Sequence, residues 1–320
     1  MQAVFLDYAT MGDGLDLAPL EAVVSDLEVY DSTTETELAA RIAGKQIVFA
    51  NKNVLRADLL ANTPSLRFIG LTATGTDNVD LDAAREHGIA VANIRAYCTE
   101  SLVEHVFGLL LMLTHSLHRF DASVAAGEWQ KAEDPFLLVH PIRELSAMSL
   151  GIVGHGELGQ RAGKIAQAFG MQVLVAARPG ASVVPDGRIE FNDMLERADA
   201  ITLHCPLTAQ TRNLMAAEQF RRMQSTAYLI NTARGALVDS AALADALGKG
   251  EIAGAAVDVL PKEPPVNGDP LLDYEGDNLI VTPHVAWASV EARQNAITEL
   301  ARNTAAFIAG ETRNRVDLEA

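Results

Sequence analysis

The chain has 320 residues, 49% hydrophobic and 21% charged, enough for one large or two ordinary cores and unlike a disordered polymer. Its formal net charge of −17 repels nucleic acid phosphates and anionic lipid, so neither is an expected partner. An anionic ligand must therefore be caught by a local cluster of cations or backbone N–H groups.

The start, "MQAVFLDYATMG", has no basic segment leading into a long apolar core, so no signal peptide is expected. In chain order, "AVFLD", "LEVYD", "QIVFAN", "LRFIGLTA" and "IAVANI" read as strands, with "LAPLEAVVSDL" and "TETELAARIAG" as helices between them. Such alternation predicts a parallel sheet with helices on both faces. A long helix follows over "TESLVEHVFGLLLMLTHSLHRF", with Thr99 and Ser101 as candidate caps. Its apolar run "VFGLLLML" is too short to span a bilayer, and no membrane is expected. The irregular stretch "DASVAAGEWQKAEDPFLLVHPIREL" is long enough to pack on something outside its own domain.

A second β/α series begins at "SLGIVG" and runs through "VLVAA", "AITLHC", "AYLINTA", "IAGAAVDV" and "NLIVTPHVA". The chain closes on an amphipathic helix, "SVEARQNAITELARNTAAFIAG". The fold class expected is α/β, with two doubly wound parallel-sheet halves jointed near Cys98 and Thr99. Those two cysteines, Cys98 and Cys205, have no metal-ligand spacing, so no metal is expected. They suit a reducing, cytoplasmic compartment. Cys205 follows an apolar run and reads as a buried, inert thiol.

"SLGIVGHGELGQRAGKIAQAFG" places Gly154, Gly156 and Gly159 in a GxGxxG turn between a strand and a helix. Gly154 permits the tight turn, Gly156 lets the backbone approach a pyrophosphate, and Gly159 lets helix and strand pack closely. The helix N-terminus adds N–H groups and partial positive charge. At the end of the next strand, in "VLVAARPG", an acidic residue would normally hold the adenosine ribose diol. Ala177 stands there instead, followed by Arg178, whose guanidinium can pair with a 2′-phosphate. NADP(H) is therefore expected over NAD(H). The alternative is a solvated Arg178, with cofactor choice set elsewhere.

Three segments then end predicted strands, where ligands of open α/β sheets bind. "LINTARGALVD" presents Arg234, "AAVDVLPKEPPVNGDP" presents Asp258 and Glu263, and "LIVTPHVAWAS" presents His284. Any one of them has an ordinary structural explanation. Together they supply a guanidinium for a carboxylate, a histidine as proton donor, and a glutamate to orient that histidine and raise its pKa. Those are the parts needed for hydride transfer to a 2-keto acid.

From "QIVFANK" onward, "ATGTDNVD", "GHGELG", "HCPLT", "NTARGALVD", "DVLPKEPP" and "TPHVAWAS" follow one another in an order that resembles the D-isomer-specific 2-hydroxyacid dehydrogenases over nearly the whole length. "NIRAYCTESLVEHVFGLLL" and Asn51–Lys52 look most like the glycerate dehydrogenase (hydroxypyruvate reductase) branch. The resemblance implies a flavodoxin-like substrate domain over 1–98 and 288–320 and a Rossmann NAD(P)-binding domain over 99–287, with substrate between them. It implies that Arg234 binds the carboxylate and polarises the keto oxygen, and that His284 protonates that oxygen while Glu263 holds it as imidazolium. Substrate contacts are implied at Asn51, Lys52, Thr74 and Gly75, the last two through backbone N–H groups. Cofactor contacts are implied at Thr99, Gly154, Gly156, Glu157, Leu158, Ala177, Arg178, Cys205, Pro206, Thr211, Thr232, Ala233, Asp258 and His284, with Asp258 near the nicotinamide amide. A homodimer built on the long helix and the stretch behind it is implied too. The expected reaction is reduction of hydroxypyruvate or glyoxylate by NADPH. An NAD-linked dehydrogenase of another 2-hydroxy acid, such as a D-lactate type, and a non-catalytic NAD(H)-sensing corepressor are the alternatives.

Overall fold

The computed structural model describes residues 1–181 and 183–318; the last two residues of the expected 288–320 segment lie outside them. The chain divides into two units, Met1–Cys98 with Trp287–Ala320, and Thr99–Ala286.

In the first unit, strands Gln2–Phe5 (β1), Asp26–Val29 (β2), Ile47–Ala50 (β3), Phe68–Leu71 (β4) and Ala90–Ala92 (β5) form an all-parallel sheet in the order β2-β1-β3-β4-β5. That is the flavodoxin-like order. The inner strands β3 and β4 and the edge strand β5 carry no polar alternation because both their faces are covered, whereas edge strand β2, Asp-Leu-Glu-Val, alternates and is largely exposed. Val4, Val48 and Ile69 pack with helices Glu35–Ile42 (α2), Ala57–Ala61 (α3) and Leu81–Glu86 (α4). The alternate positions Phe5, Phe49 and Phe68 face helix Ala18–Glu21 (α1) and the C-terminal helix. The expected helix "LAPLEAVVSDL" shrinks to the single turn of α1, because the chain must already be extended at Asp26 to pair with Gln2.

The second unit holds helices Thr99–Thr114 (α5) and Leu117–Ala125 (α6), then strands Ser149–Val153 (β6), Gln172–Val175 (β7), Ala200–Leu203 (β8), Tyr228–Asn231 (β9), Gly254–Val257 (β10) and Leu279–Val281 (β11). The parallel order is β11-β10-β9-β8-β6-β7. Beyond β7 a single parallel bridge, Ala176 to Ile189, stands where a doubly wound dinucleotide fold carries one more strand. Helices Glu157–Ala168 (α7), Phe191–Arg197 (α8), Ala217–Arg222 (α9) and Ser240–Gly248 (α10) flank the sheet, with α5 and α7 on one face and the other three on the opposite one.

The long helix expected after Thr99 is two helices. Ser116 takes a left-handed φ of 52° and its hydroxyl donates to the Pro141 carbonyl, 2.8 Å away. Thr114 turns its hydroxyl back to Leu110, and the Arg143 N–H takes the Thr114 carbonyl. The incoming irregular stretch thus ends α5. That stretch leaves large apolar side chains in solvent: Phe136 is 74% exposed and Leu138 82%.

Helix Val290–Ile308 (α11) belongs to the first unit. It seats on β4 where Gly70 leaves room; a Cβ there would lie 2.6 Å from Leu300. Phe307 stacks on Phe68 at 4.7 Å, and the tail is tied by the bridge from Arg315 to Ala92. Among the described residues no helix is long and apolar enough to cross a membrane.

Candidate active site

The nucleotide turn follows β6 directly. Gly154 has φ +94°, and a Cβ on it would lie 2.6 Å from the His204 carbonyl at the end of β8. A Cβ on Gly159 would meet the Gly154 oxygen at 2.0 Å, so helix α7 can only approach the turn at a glycine. Gly156 differs from both. It caps α7 with an ordinary φ of −75°, makes no side-chain capping bond, and has nothing within 4 Å of its would-be Cβ. The first turn of α7 is therefore open to an approaching anion, as a pyrophosphate requires. Glu157 sits in that turn and accepts a hydrogen bond from the Thr99 hydroxyl. These residues fit a dinucleotide.

Around the turn, Ala177 is buried and spends its N–H on the Ile189 carbonyl. Arg178 is exposed and opens a tight turn, closed by the Ala181 N–H on its carbonyl, with Gly180 at φ +72°. Pro179 and Gly180 suit the two central places of that turn. Burial pushes the Cys205 thiol up, which makes it a poor nucleophile at neutral pH. Its neighbour His204, unremarked in the sequence, has its pKa pushed down to about 4 by burial. It is a neutral ring beside the dinucleotide turn, within 3.1 Å of the Thr202 hydroxyl. Thr211 closes its loop by donating to the Pro206 carbonyl at 2.8 Å.

After β9, the buried Asn231 side chain braces the next turn from both sides, accepting from Ala233 N–H and donating to the Arg234 carbonyl. Arg234 stands in that turn with extended backbone, and one guanidinium N–H donates to the Ala233 carbonyl. Gly235 is obligatory in a different sense from the turn glycines. A Cβ there would sit 2.0 Å from the backbone of Leu260, where the loop after β10 crosses. In that loop Glu263 works in two directions. One oxygen accepts the Leu260 N–H at 2.8 Å and the other lies 2.5 Å from His284 Nδ1. The glutamate thus orients the imidazole and fixes Nδ1 as the atom it holds.

His284 is a non-glycine residue at φ +57°, and its N–H donates to the carbonyls of Asp258 and Thr282. What sustains this backbone is Asp258, which is 1% exposed. Its Oδ1 accepts from the Thr282 hydroxyl at 2.5 Å and the Val285 N–H at 2.9 Å, and its Oδ2 from the Ala286 N–H at 2.9 Å. The Asp258 carboxylate thus clamps the loop that carries His284.

In the first unit, the loop after β3 is shaped by the buried Asp7, whose carboxylate accepts the N–H groups of Asn51, Lys52 and Asn53. Lys52 is exposed, while Asn51 is 6% exposed and its amide donates to Thr10 at 2.9 Å, which braces the loop. After β4, Thr74 donates its hydroxyl to Ile94 and accepts the Asn93 amide on its carbonyl. The N–H groups of Thr74 and Gly75 take no acceptor among the described residues.

A model of the NAD-binding domain of D-isomer specific 2-hydroxyacid dehydrogenases matches residues 107–286. A glycerate dehydrogenase of Methylorubrum extorquens is 43% identical over 311 residues, covering 95% of this chain and 98% of that protein. A hydroxypyruvate reductase of Blautia hydrogenotrophica is 35% identical, covering 99% and 100%. Among solved structures, an acyclic imino acid reductase (Bsp5) in complex with NADPH and D-Arg superposes with a TM-score of 0.84 at 26% identity, covering 99% of this chain and all of that one.

Proposed function

Because the chain belongs to the family of D-isomer-specific 2-hydroxyacid dehydrogenases, we propose that it reduces a small 2-keto acid, hydroxypyruvate or glyoxylate, to the D-2-hydroxy acid at the expense of NADPH. The observation that carries the reaction is the His284–Glu263 pair on a clamped loop, with Arg234 on the neighbouring strand end. A bound nicotinamide supplies the hydride. Arg234 takes the substrate carboxylate and polarises the keto oxygen. His284 delivers the proton to that oxygen from Nε2, because Nδ1 is held by Glu263. We assign Lys52 and the N–H groups of Thr74 and Gly75 to the substrate carboxylate. The substrate class follows the glycerate dehydrogenase and hydroxypyruvate reductase relatives.

NADPH preference rests on Ala177 and Arg178. A buried methyl replaces the acid that would repel a 2′-phosphate, and an exposed guanidinium stands on a tight turn beside it. A relative solved with NADPH is consistent with this. We further propose a homodimer, supported by the exposed Trp129, Phe136, Leu138, Val139 and Ile142, a cluster of apolar surface that solvent would otherwise wet. Two free cysteines suit a reducing cytoplasm.

Initial rates with hydroxypyruvate, comparing NADPH and NADH, test the reading. NADPH is expected to give the higher kcat/KM. Arg178→Ala should cut the NADPH value roughly 10- to 100-fold, the worth of a charged hydrogen bond, and leave NADH nearly unchanged. Equal losses with both cofactors would refute the role of Arg178.

A further inference from the structure

Helix α5 buries Leu102, Val106 and Leu109 against the sheet, yet one turn along that face, at position 105, stands a histidine. His105 Nε2 lies 3.1 Å from the Thr282 hydroxyl and 3.7 Å from Asp258 Oδ1. A hydroxyl has one proton to give, and Thr282 gives it to Asp258 at 2.5 Å. An ionised carboxylate offers no proton in return. The Thr282 oxygen must then be the acceptor toward His105, so His105 carries its proton on Nε2. The result is a directed chain: His105 to Thr282, Thr282 to Asp258, and Asp258 to the N–H groups of Val285 and Ala286 on the far side of His284.

We propose that His105 is a positioning residue for the reaction. It holds the Thr282 hydroxyl in the one rotamer that completes the Asp258 clamp, and through that clamp sets the left-handed backbone of His284. Its effect falls on the alignment of the His284 ring, where small displacements are costly to rate. The inference rests on His284 being the proton donor, as proposed above.

The test compares His105→Leu, which removes the donor, with His105→Gln, whose amide nitrogen can reach the position of Nε2, and with Thr282→Val. In His105→Leu, kcat should fall on the order of tenfold with KM and NADPH affinity little changed. His105→Gln should recover most of the loss. The double variant His105→Leu/Thr282→Val should be no slower than Thr282→Val alone, since both break one chain. Unchanged kcat in His105→Leu, failure of Gln to rescue, or additive losses would each overturn the proposal. If His105→Leu does not fold, the comparison of His105→Gln with Thr282→Val decides it: near-normal kcat is required in the first and a loss in the second. NMR of ring-labelled histidine, read without turnover, separates the two proposals. The His284 resonances should move in the Leu and Val variants and stay in the Gln variant. If they do so while the wild-type enzyme reduces no 2-keto acid, the positioning chain stands and the assigned reaction fails.

Discussion

Replacing Asp258 by Asn keeps the shape of the clamp and turns one of its two acceptor oxygens into a donor. The carboxylate accepts the Thr282 hydroxyl and Val285 N–H on one oxygen and the Ala286 N–H on the other. An amide has one oxygen. With it at the Oδ1 place, the new NH2 faces the Ala286 N–H; flipped, it faces the Val285 N–H. Either orientation strands one buried backbone donor, which costs about 1–3 kcal/mol. The surviving bonds lose their charge assistance, about 1 kcal/mol apiece. The expected total is about 3–5 kcal/mol. At roughly 2–4 °C per kcal/mol for a domain of this size, Tm should fall by about 10 °C. Calorimetry on the apoprotein measures it, and kcat should fall as the His284 loop loosens. An Asp258→Asn protein within about 1 °C of the wild-type Tm would refute the clamp, by any ordinary reading of such shifts.

Two glycines of one motif should respond oppositely to alanine. Gly154→Ala meets a left-handed φ and the His204 backbone, so Tm should drop by several degrees; Gly156→Ala meets open space, so Tm should hold while dinucleotide Kd rises. Equal Tm values for the two variants would count against the assigned roles. His284→Gln should leave NADPH binding by titration intact and abolish turnover; wild-type-like rates would sink the mechanism. His204 has its folded pKa below the ordinary 6.5, so the unfolded chain binds its proton more readily. Its contribution is full above pH 6.5 and is lost as pH falls toward about 4, a loss of about 3 kcal/mol. Asp199 acts further down: burial raises it, but the Ser149 N–H and Arg143 bring it net below the carboxylate range. Between pH 7 and 5, Tm should thus fall more in wild type than in His204→Gln, and parallel curves would contradict the burial argument.

Much of this was legible in the chain before folding. Apolar runs without polar alternation forced two parallel sheets covered on both faces, because no other arrangement buries both sides of such strands. The spacing of Gly154, Gly156 and Gly159 demanded a tight turn and a close helix, and a Cβ is excluded at Gly154 and Gly159 while Gly156 faces open space. These are local demands of φ, period and volume, which a sequence carries in order. Partner choice is different. Asp258 and Asn51 are polar residues at strand ends, and pattern alone does not reveal that Asp258 holds the Thr282 hydroxyl and two backbone N–H groups or that Asn51 donates to Thr10. The break at Ser116 came from Pro141 and Arg143, residues that lie well beyond the helix. His105 reached Thr282 across 177 positions of chain. A buried hydrogen-bonding group must be paired wherever its partner arrives, and only the tertiary structure decides which partner that is.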